Sequence, residues 1–141
     1  MPSVTLPITP QGPLIQVNIG IDFFRLQAIK PEDAAARRPP VQATLLVDSG
    51  ASHTTIDPEI LSQLNLQPRN QVAVHTPSTN GVPHVCNQYS ISLMGPFFVP
   101  ALLVNEASFK AQGIHGLLGR DVLGGCVLTY NGPARQFILS F

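Results

Sequence analysis

The chain contains the stretch Leu45-Leu46-Val47-Asp48-Ser49-Gly50-Ala51, in which three apolar residues run into an aspartate and three small residues. An unbroken apolar run of this kind is typical of a strand that is buried on both faces. Asp48 would then lie at the strand's end, where the chain can turn and present a carboxylate to a cleft. Gly50 permits backbone conformations that a side chain forbids. Taken alone, Asp-Ser-Gly also fits a surface turn in which the carboxylate caps its own backbone.

The residues after this stretch predict a helix, a hairpin and a second buried strand. Asp57 is a good N-cap and Pro58 suits the first helical position, so a helix should run from there to about Asn65. Val72 and Val74 alternate into a polar turn, and a strand is expected to return from Val82. Much later, Gly116-Leu117-Leu118-Gly119 predicts a buried strand, followed by a short helix from about Arg120 to Leu123.

The rest of the chain favours strands and turns. Residues 15–21 alternate apolar and polar, which is typical of a half-buried strand. Residues 24–42 are expected to form an exposed loop with room for one helical turn after Pro31, and Phe97–Val104 to form one or two strands broken at Pro100. Val127–Tyr130 and Phe137–Phe141 flank a turn and predict a terminal hairpin. With 14 prolines and 11 glycines, the sequence predicts an all-β domain, a closed or nearly closed barrel with one or two short helices.

Composition excludes several classes of function. The 141 residues suit one domain, and a net charge of zero with a pI near 6.9 provides no basic surface for nucleic acid. No apolar run approaches the roughly 20 residues needed to cross a bilayer. The N-terminus lacks a secretory h-region, so a cytoplasmic location and free thiols at Cys86 and Cys126 are expected. The histidines and cysteines lack the close spacing of a structural zinc site, so neither metal nor cofactor is predicted.

The ordered set of motifs resembles the retropepsin-like aspartic peptidases, which include retroviral proteases and their bacterial and cellular relatives. The elements that carry the resemblance are Asp-Ser-Gly-Ala-Ser-X-Thr after an apolar strand, the polar-tipped hairpin, and Leu117-Leu118-Gly119-Arg120-Asp121 downstream. The resemblance covers Pro13 to Phe141. It implies an N-terminal extended segment at 1–12, a peptidase domain at 13–141 with an exposed loop at about 24–42, and a barrel that is half of a two-fold dimer.

What the resemblance implies can be carried over residue by residue. Asp48 matches the catalytic aspartate, and Ser49 stands where the family commonly has the threonine that bonds across the subunits. The hairpin from Thr76 to Val85 would be the flap over the cleft. The active-site loop would be supported by Ser49, Gly50, Ala51, Leu117, Leu118 and Gly119. Substrate contacts are expected from Ser52, His53, Thr79, Asn80 and Gly81, and structural roles from Arg120 and Asp121.

One position departs from the retroviral pattern. Retroviral relatives commonly carry an acidic residue where Ser52 stands, paired with the arginine that Arg120 matches. Arg120 is therefore expected to bind backbone carbonyls or to pair with Asp121.

The chemistry of the family requires two carboxylates that share one proton, since two like charges about 3 Å apart cannot both ionise. The chain has one Asp-Ser-Gly, so the second Asp48 must come from another copy in a two-fold homodimer. The predicted activity is that of an aspartic endopeptidase acting on a protein or peptide substrate held as an extended strand. A cleft with apolar walls would favour hydrophobic side chains beside the scissile bond.

Three alternatives stand beside this prediction. The chain could be a catalytically silent module of the same fold that binds peptides or dimerises, or a domain that releases itself from a longer precursor. A serine nucleophile at Ser49 or Ser52 is disfavoured, because the Gly-X-Ser-X-Gly elbow is absent.

Overall fold

The computed structural model describes residues 1–75 and 80–141. Across these residues the chain forms ten strands: β1 (Ser3–Thr9), β2 (Gly12–Ile21), β3 (Val41–Val47), β4 (Thr55–Ile56), β5 (Asn70–Val74), β6 (His84–Met94), β7 (Phe98–Glu106), β8 (Gly116–Leu118), β9 (Val127–Asn131) and β10 (Gln136–Ser140). The helices are short: α1 (Phe23–Ala28), α2 (Pro58–Gln63) and α3 (Arg120–Leu123), with 3₁₀ turns at Pro31–Ala36 and Lys110–Gln112.

The strands form one sheet in the order β5-β6-β7-β4-β8-β3-β2-β1-β10-β9. A further antiparallel pairing joins β2 to β6 over Asn18–Ile21 and Ile91–Met94, so six of the strands close into a ring. β5 extends the sheet at one end, and β1, β10 and β9 extend it at the other. The predicted all-β, nearly closed barrel is therefore confirmed.

One hydrophobic core joins buried residues of the ring with those of β10. The apolar residues of β2 predicted to face inward are buried at alternate positions, and those of β3 and β10 follow the same two-residue period. Fully buried side chains come from most of the sheet: Ile15, Val17, Ile19, Leu45, Ile56, Ile91, Leu93, Val104, Leu118, Phe137 and Leu139.

Two parallel strands position the Asp48 region. β3 pairs with β8 in parallel, with Leu45 opposite Gly116 and Val47 opposite Leu118. Because parallel strands end on the same side, the residues after β3 and those after β8 emerge next to each other. Asp48 therefore lies beside Gly119 and the start of α3.

The predicted helix after Asp57 is confirmed as α2, which ends at Gln63, and Asp57 caps it by accepting a hydrogen bond from the Glu59 amide at 2.9 Å. The short helix predicted at Arg120–Leu123 and the terminal hairpin are confirmed as α3 and as β9 with β10.

The prediction of a strand break at Pro100 was wrong, since β7 runs unbroken from Phe98 to Glu106. The register between β6 and β7 shifts there: Val99 lies opposite Leu93 and Leu102 opposite Ile91, so two residues of β7 face one of β6. A residue in such a bulge lies outside the hydrogen-bond ladder, so Pro100 can occupy it without breaking a hydrogen bond for lack of an N–H.

The segment expected as an exposed loop at 24–42 contains more helix than predicted. The turn after Pro31 is present as a 3₁₀ turn, but α1 was not expected. The predicted flap hairpin lies only partly within the structure, because Thr76, Pro77, Ser78 and Thr79 fall outside the described residues. On either side of them β5 and β6 pair antiparallel, with Val74 opposite His84.

Candidate active site

The Asp48 loop, residues 48–53, connects β3 to β4. Its first amide continues the sheet, since the Asp48 N–H donates to the Leu118 carbonyl at 3.0 Å. The chain then turns, and the Ala51 N–H donates back to the Asp48 carbonyl at 3.2 Å. Asp48 itself is half-buried, whereas Ser49 and Gly50 are exposed. The carboxylate is thus fixed at the end of a buried strand and still reaches the surface.

The Asp48 side chain is oriented by its own loop. The Gly50 N–H donates to Asp48 Oδ1 at 2.9 Å. Among the side-chain hydrogen bonds of residues 1–75 and 80–141, Asp48 Oδ2 has no donor. One oxygen is therefore held and the other is open to a substrate, a water or a second carboxyl group.

The turn between β8 and α3 braces the Asp48 loop from behind. The Arg120 N–H donates to the Ala51 carbonyl at 2.8 Å, and Arg120 Nη1 donates to the Ser49 carbonyl at 2.8 Å. Of the two contacts expected for Arg120, the structure has the bond to a backbone carbonyl. One arginine thus supports two residues of the loop, the exposed Ser49 and the half-buried Ala51.

Thr54 ties the base of the loop to the same turn. Its hydroxyl donates to Asp121 Oδ1 at 2.7 Å and accepts from the Gly119 N–H at 3.1 Å, and its amide donates to Asp121 Oδ2 at 2.8 Å. Thr54 is fully buried. Gly119 packs so closely that a Cβ there would stand 2.6 Å from the His53 carbonyl carbon. Asp121 thus accepts hydrogen bonds from both the amide and the hydroxyl of Thr54, a contact that was not predicted from the sequence.

A cleft of about 540 Å³ opens beside the Asp48 loop. One wall is the loop itself, from Gly50 to His53, with Leu117 of β8 behind it. The opposite wall is β5, and the floor is formed by Gln88 of β6 and Asn105 of β7. Asp48 is not part of this lining; it lies at one end of the cleft, where the carboxylate meets the Gly50 amide.

The structure brings most of the sequence-predicted site residues together. Ser52 and His53 are exposed and line the cleft, where a substrate could contact them. Asn80 and Gly81 are exposed, have positive φ values of 49° and 78°, and do not line the cleft. Thr79 lies outside the described residues.

Three residues of the site had no role predicted from the sequence: Gln88, Asn105 and Thr54, the last being the threonine of the Asp-Ser-Gly-Ala-Ser-X-Thr motif. Each is a polar residue with less than a tenth of its surface exposed. The available signal was weak: Gln88 and Asn105 are polar residues directly beside the buried apolar Tyr89 and Val104, and a buried polar side chain usually has a specific partner.

A second cavity, of about 290 Å³, shares no lining residue with the cleft. Its polar centre is Asp22, which caps α1 and accepts a hydrogen bond from Ser90 Oγ. Burial acts to raise the pKa of Asp22. The hydrogen bonds from Ser90 and from the Arg25 and Phe24 amides, together with the charge of Arg69, outweigh it and hold the pKa below its ordinary value.

Neither cysteine belongs to either polar centre. Burial raises the pKa of the Cys86 and Cys126 thiols, which keeps them protonated and unreactive at neutral pH. In the described part of the chain, no three histidine, cysteine or acidic side chains come together in a group that could hold a metal ion. No helix found there is long and apolar enough to cross a membrane.

A family model described as "Aspartyl protease" matches residues 40–122, which is more than half of the chain and includes both the Asp48 loop and the β8–α3 turn. The chain belongs to this aspartyl protease family. No curated protein sequence matches it significantly.

Solved structures support the fold of this aspartyl protease family member. A retropepsin-like aspartic protease from Rickettsia conorii aligns with a TM-score of 0.61 and 12% identity, covering 99% of this chain and 91% of that one. EIAV protease in complex with the inhibitor HBY-793 aligns over 80% of this chain and 86% of its own, with a TM-score of 0.48 and 13% identity. The retroviral protease-like domain of Ddi1 from Leishmania major gives 0.43 and 14% identity over 84% and 82%. At these identities the likeness concerns the fold, and only the first score is high enough to carry it.

Proposed function

We propose that this protein is an aspartic endopeptidase that works as a two-fold homodimer, with the Asp48 of each copy contributing to one shared site. The observation that supports this most is the way Asp48 is held. Its Oδ1 is fixed by the Gly50 amide at 2.9 Å, and its loop is braced by Arg120 and by Thr54. A carboxylate that merely capped a surface turn would not need a buried network behind it.

The need for a second copy follows from the uses of the other aspartates. Asp22 and Asp57 cap α1 and α2, and Asp121 binds the backbone and hydroxyl of the residue at the base of the loop. Asp33 lies in the exposed 3₁₀ turn. Asp22, Asp57 and Asp121 are thus committed to contacts of their own, and Asp33 belongs to an exposed turn of another segment, so the proposed partner carboxylate comes from another chain.

The reaction in such a dimer is a proton exchange around one water. One Asp48 carboxylate removes a proton from the water as it attacks the peptide carbonyl carbon, while the other, protonated, donates to the carbonyl oxygen. The tetrahedral intermediate then collapses, the C–N bond breaks, and the amine nitrogen leaves with a proton returned from the dyad. Ser49, exposed beside Asp48, provides a hydroxyl for a bond between the two loops.

β9 is the surface proposed to receive the second copy. It ends the sheet, with β10 on one side, and its Val127 and Tyr130 are 54% and 60% exposed. It follows α3 after three residues, and α3 begins at the turn that braces the Asp48 loop. An edge strand presents unpaired N–H and C=O groups that can bond to the same strand of another copy.

The substrate is proposed to be an extended peptide lying between the Asp48 loop and the β5–β6 hairpin. Backbone pairing along a strand gives affinity, and pockets for alternate side chains give specificity.

The test compares three purified proteins on a mixed peptide library from about pH 4 to 7, where a shared-proton dyad is expected to work. Wild type should cut, and Asp48→Asn should lose at least about 10³-fold in kcat/KM because the dyad can no longer hold and transfer its proton. Asp33→Asn is the matched control: the same chemical change at an exposed turn should leave the rate unchanged.

Light scattering on the same samples tests the dimer. Wild type, Asp48→Asn and Asp33→Asn should all be dimeric, whereas the double substitution Val127→Lys with Tyr130→Lys should be monomeric and inactive. Cleavage by a protein that remains monomeric, or by Asp48→Asn, would refute the proposal. Folded dimers that bind peptides and never cut them would favour a peptide-binding module instead.

A further inference from the structure

A row of polar side chains crosses the sheet at the floor of the cleft. Asn70 of β5 pairs with Gln88 of β6, Gln88 pairs with Asn105 of β7, and Asn105 pairs with Thr55 of β4. Directly paired residues of neighbouring strands lie on the same face of a sheet. The next position in the row is Leu117 of β8, which ends the polar run and forms the cleft wall.

The amides of this row are linked in one direction. Asn70 Nδ2 donates to Gln88 Oε1 at 3.4 Å, and Gln88 Nε2 donates to Asn105 Oδ1 at 2.8 Å. Asn105 is 6% exposed, and its Nδ2 donates to no atom of the described residues. Every fully buried side-chain nitrogen and oxygen in that part of the chain has a partner, so Asn105 Nδ2 must reach solvent. The open space that Asn105 lines is the cleft.

The surroundings of this amide define what it can bind. Val72, Val74 and Leu117 provide apolar walls on both sides of it. His53 and His75 are the ionisable residues of the lining, which contains no carboxylate from residues 1–75 and 80–141. A donor at the floor of a cleft that has apolar residues in its walls and no carboxylate among its described lining residues suits a side chain with an apolar stem and an accepting head.

The geometry points to a specificity pocket in which Asn105 Nδ2, held by Gln88, receives the carboxamide or carboxylate oxygen of a substrate glutamine or glutamate. This rests on the proposed peptidase activity and replaces the simpler expectation of hydrophobic side chains at every position of the cleft. A buried donor left without an acceptor costs free energy, so the pocket disfavours a leucine of similar size.

Cleavage of matched peptides tests the pocket. Fluorogenic peptides that differ only by glutamine, glutamate or leucine at one position are compared, with that position moved stepwise along the substrate. Wild type should prefer glutamine or glutamate over leucine by about tenfold in kcat/KM at one position, the effect of a single hydrogen bond. Asn105→Leu should reverse that ratio there and leave the other positions unchanged.

Asn105→Asp is the second variant, and it tests the pocket even if Asn105→Leu fails to fold. Its carboxylate accepts where the amide donated, so glutamate should become worse than glutamine by at least about tenfold while glutamine is still cut. Circular dichroism melts confirm that each variant is folded. A wild type that cuts with no preference for glutamine or glutamate at any position, or an Asn105→Leu protein with unchanged ratios, would overturn the pocket and leave the peptidase proposal standing.

Equilibrium binding tests the specificity pocket independently of the peptidase proposal. Calorimetry with the same peptides is performed on Asp48→Asn, and on Asp48→Asn combined with Asn105→Leu, so no turnover is needed. Tighter binding of the glutamine peptide to the first protein, lost in the second, supports the pocket even if wild type cuts nothing. Equal affinity for glutamine and leucine peptides in both proteins would overturn it.

Discussion

Replacing Thr54 by valine removes one hydroxyl from the base of the Asp48 loop and keeps the shape of the side chain. That hydroxyl donates to Asp121 Oδ1 at 2.7 Å and accepts from the Gly119 N–H at 3.1 Å. Thr54 is fully buried and Gly119 is buried, so in the variant the Gly119 N–H has no acceptor and no access to water. The substitution therefore leaves an orphaned backbone donor behind the candidate catalytic loop.

The expected cost comes from two contributions. An unsatisfied buried N–H costs about 1–3 kcal/mol. The bond to the exposed Asp121 is worth about 1 kcal/mol, because solvent screens its charge. The total is a loss of about 2–4 kcal/mol in the free energy of unfolding. For a chain of this size each kcal/mol shifts Tm by about 3–4 °C, so Tm should fall by about 6–16 °C.

Thr55→Val is the matched control, because it makes the same change one residue further on. The Thr55 hydroxyl donates to the His53 carbonyl at 3.3 Å at an exposed position, so its removal should cost less than about 1 kcal/mol. Urea titration and thermal melts of wild type and both variants, at one protein concentration, give the comparison. If Thr54→Val is within about 1 kcal/mol of Thr55→Val, the buried network does not stabilise the loop as argued.

Three further changes give separate tests. A Cβ at Gly119 would stand 2.6 Å from the facing backbone, whereas a Cβ at Gly125 would stand 3.7 Å from its nearest neighbour. Urea titration should therefore show that the free energy of unfolding falls by about 3 kcal/mol in Gly119→Ala and by less than about 1 kcal/mol in Gly125→Ala. Equal losses would contradict the close packing. Lysine lacks the planar guanidinium group with which Arg120 reaches the Ser49 carbonyl. In Arg120→Lys, kcat/KM should therefore fall about tenfold while Tm stays within about 3 °C of the wild-type value. An unchanged kcat/KM would refute the bracing role of Arg120. Ser90→Ala removes a hydrogen bond that helps to depress the pKa of Asp22, and a carboxyl group with a depressed pKa stabilises the folded state at pH values above its unfolded pKa. The free energy of unfolding should therefore fall by about 1–3 kcal/mol at pH 7, and this loss should shrink as the pH falls below the ordinary value of 3.8. A loss that stays constant with pH would count against this role of Ser90.

Local sequence patterns predicted most elements of the fold, because their causes are local. The alternation in β2 and the capping of α2 by Asp57 depend on neighbouring residues alone. Two misses have causes outside the local pattern. Pro100 is tolerated because the register between β6 and β7 shifts and places it in a bulge of β7. α1 forms because Asp22 caps it while accepting a hydrogen bond from Ser90, which is 68 residues away.

The candidate site divides in the same way. Asp48 could be singled out from the sequence because the apolar strand running into Asp-Ser-Gly is followed by the downstream Leu117-Leu118-Gly119-Arg120-Asp121; the seven residues around Asp48 by themselves also fit a surface turn. The roles of Gln88 and Asn105 could not, because each appears in the sequence as an isolated polar residue within a strand. Their partnership exists only through the register of β6 with β7. The support of the Asp48 loop by Leu117, Leu118 and Gly119 was implied by the family resemblance, since nothing in the local sequence shows that β3 pairs with β8 about 70 residues away.

The pairing of β1 with β10 has a consequence for how the proposed dimer would behave on dilution. Ser3–Pro7 bond to Gln136–Ser140 of the same chain, so each subunit completes its terminal sheet without borrowing a strand from a partner. A subunit built this way can lose its partner and remain folded, and association then obeys mass action separately from folding. Turnover per subunit would fall steeply below the dissociation constant and recover on reconcentration. The abundance of the protein would thereby act as a switch on its own activity, with no inhibitor required.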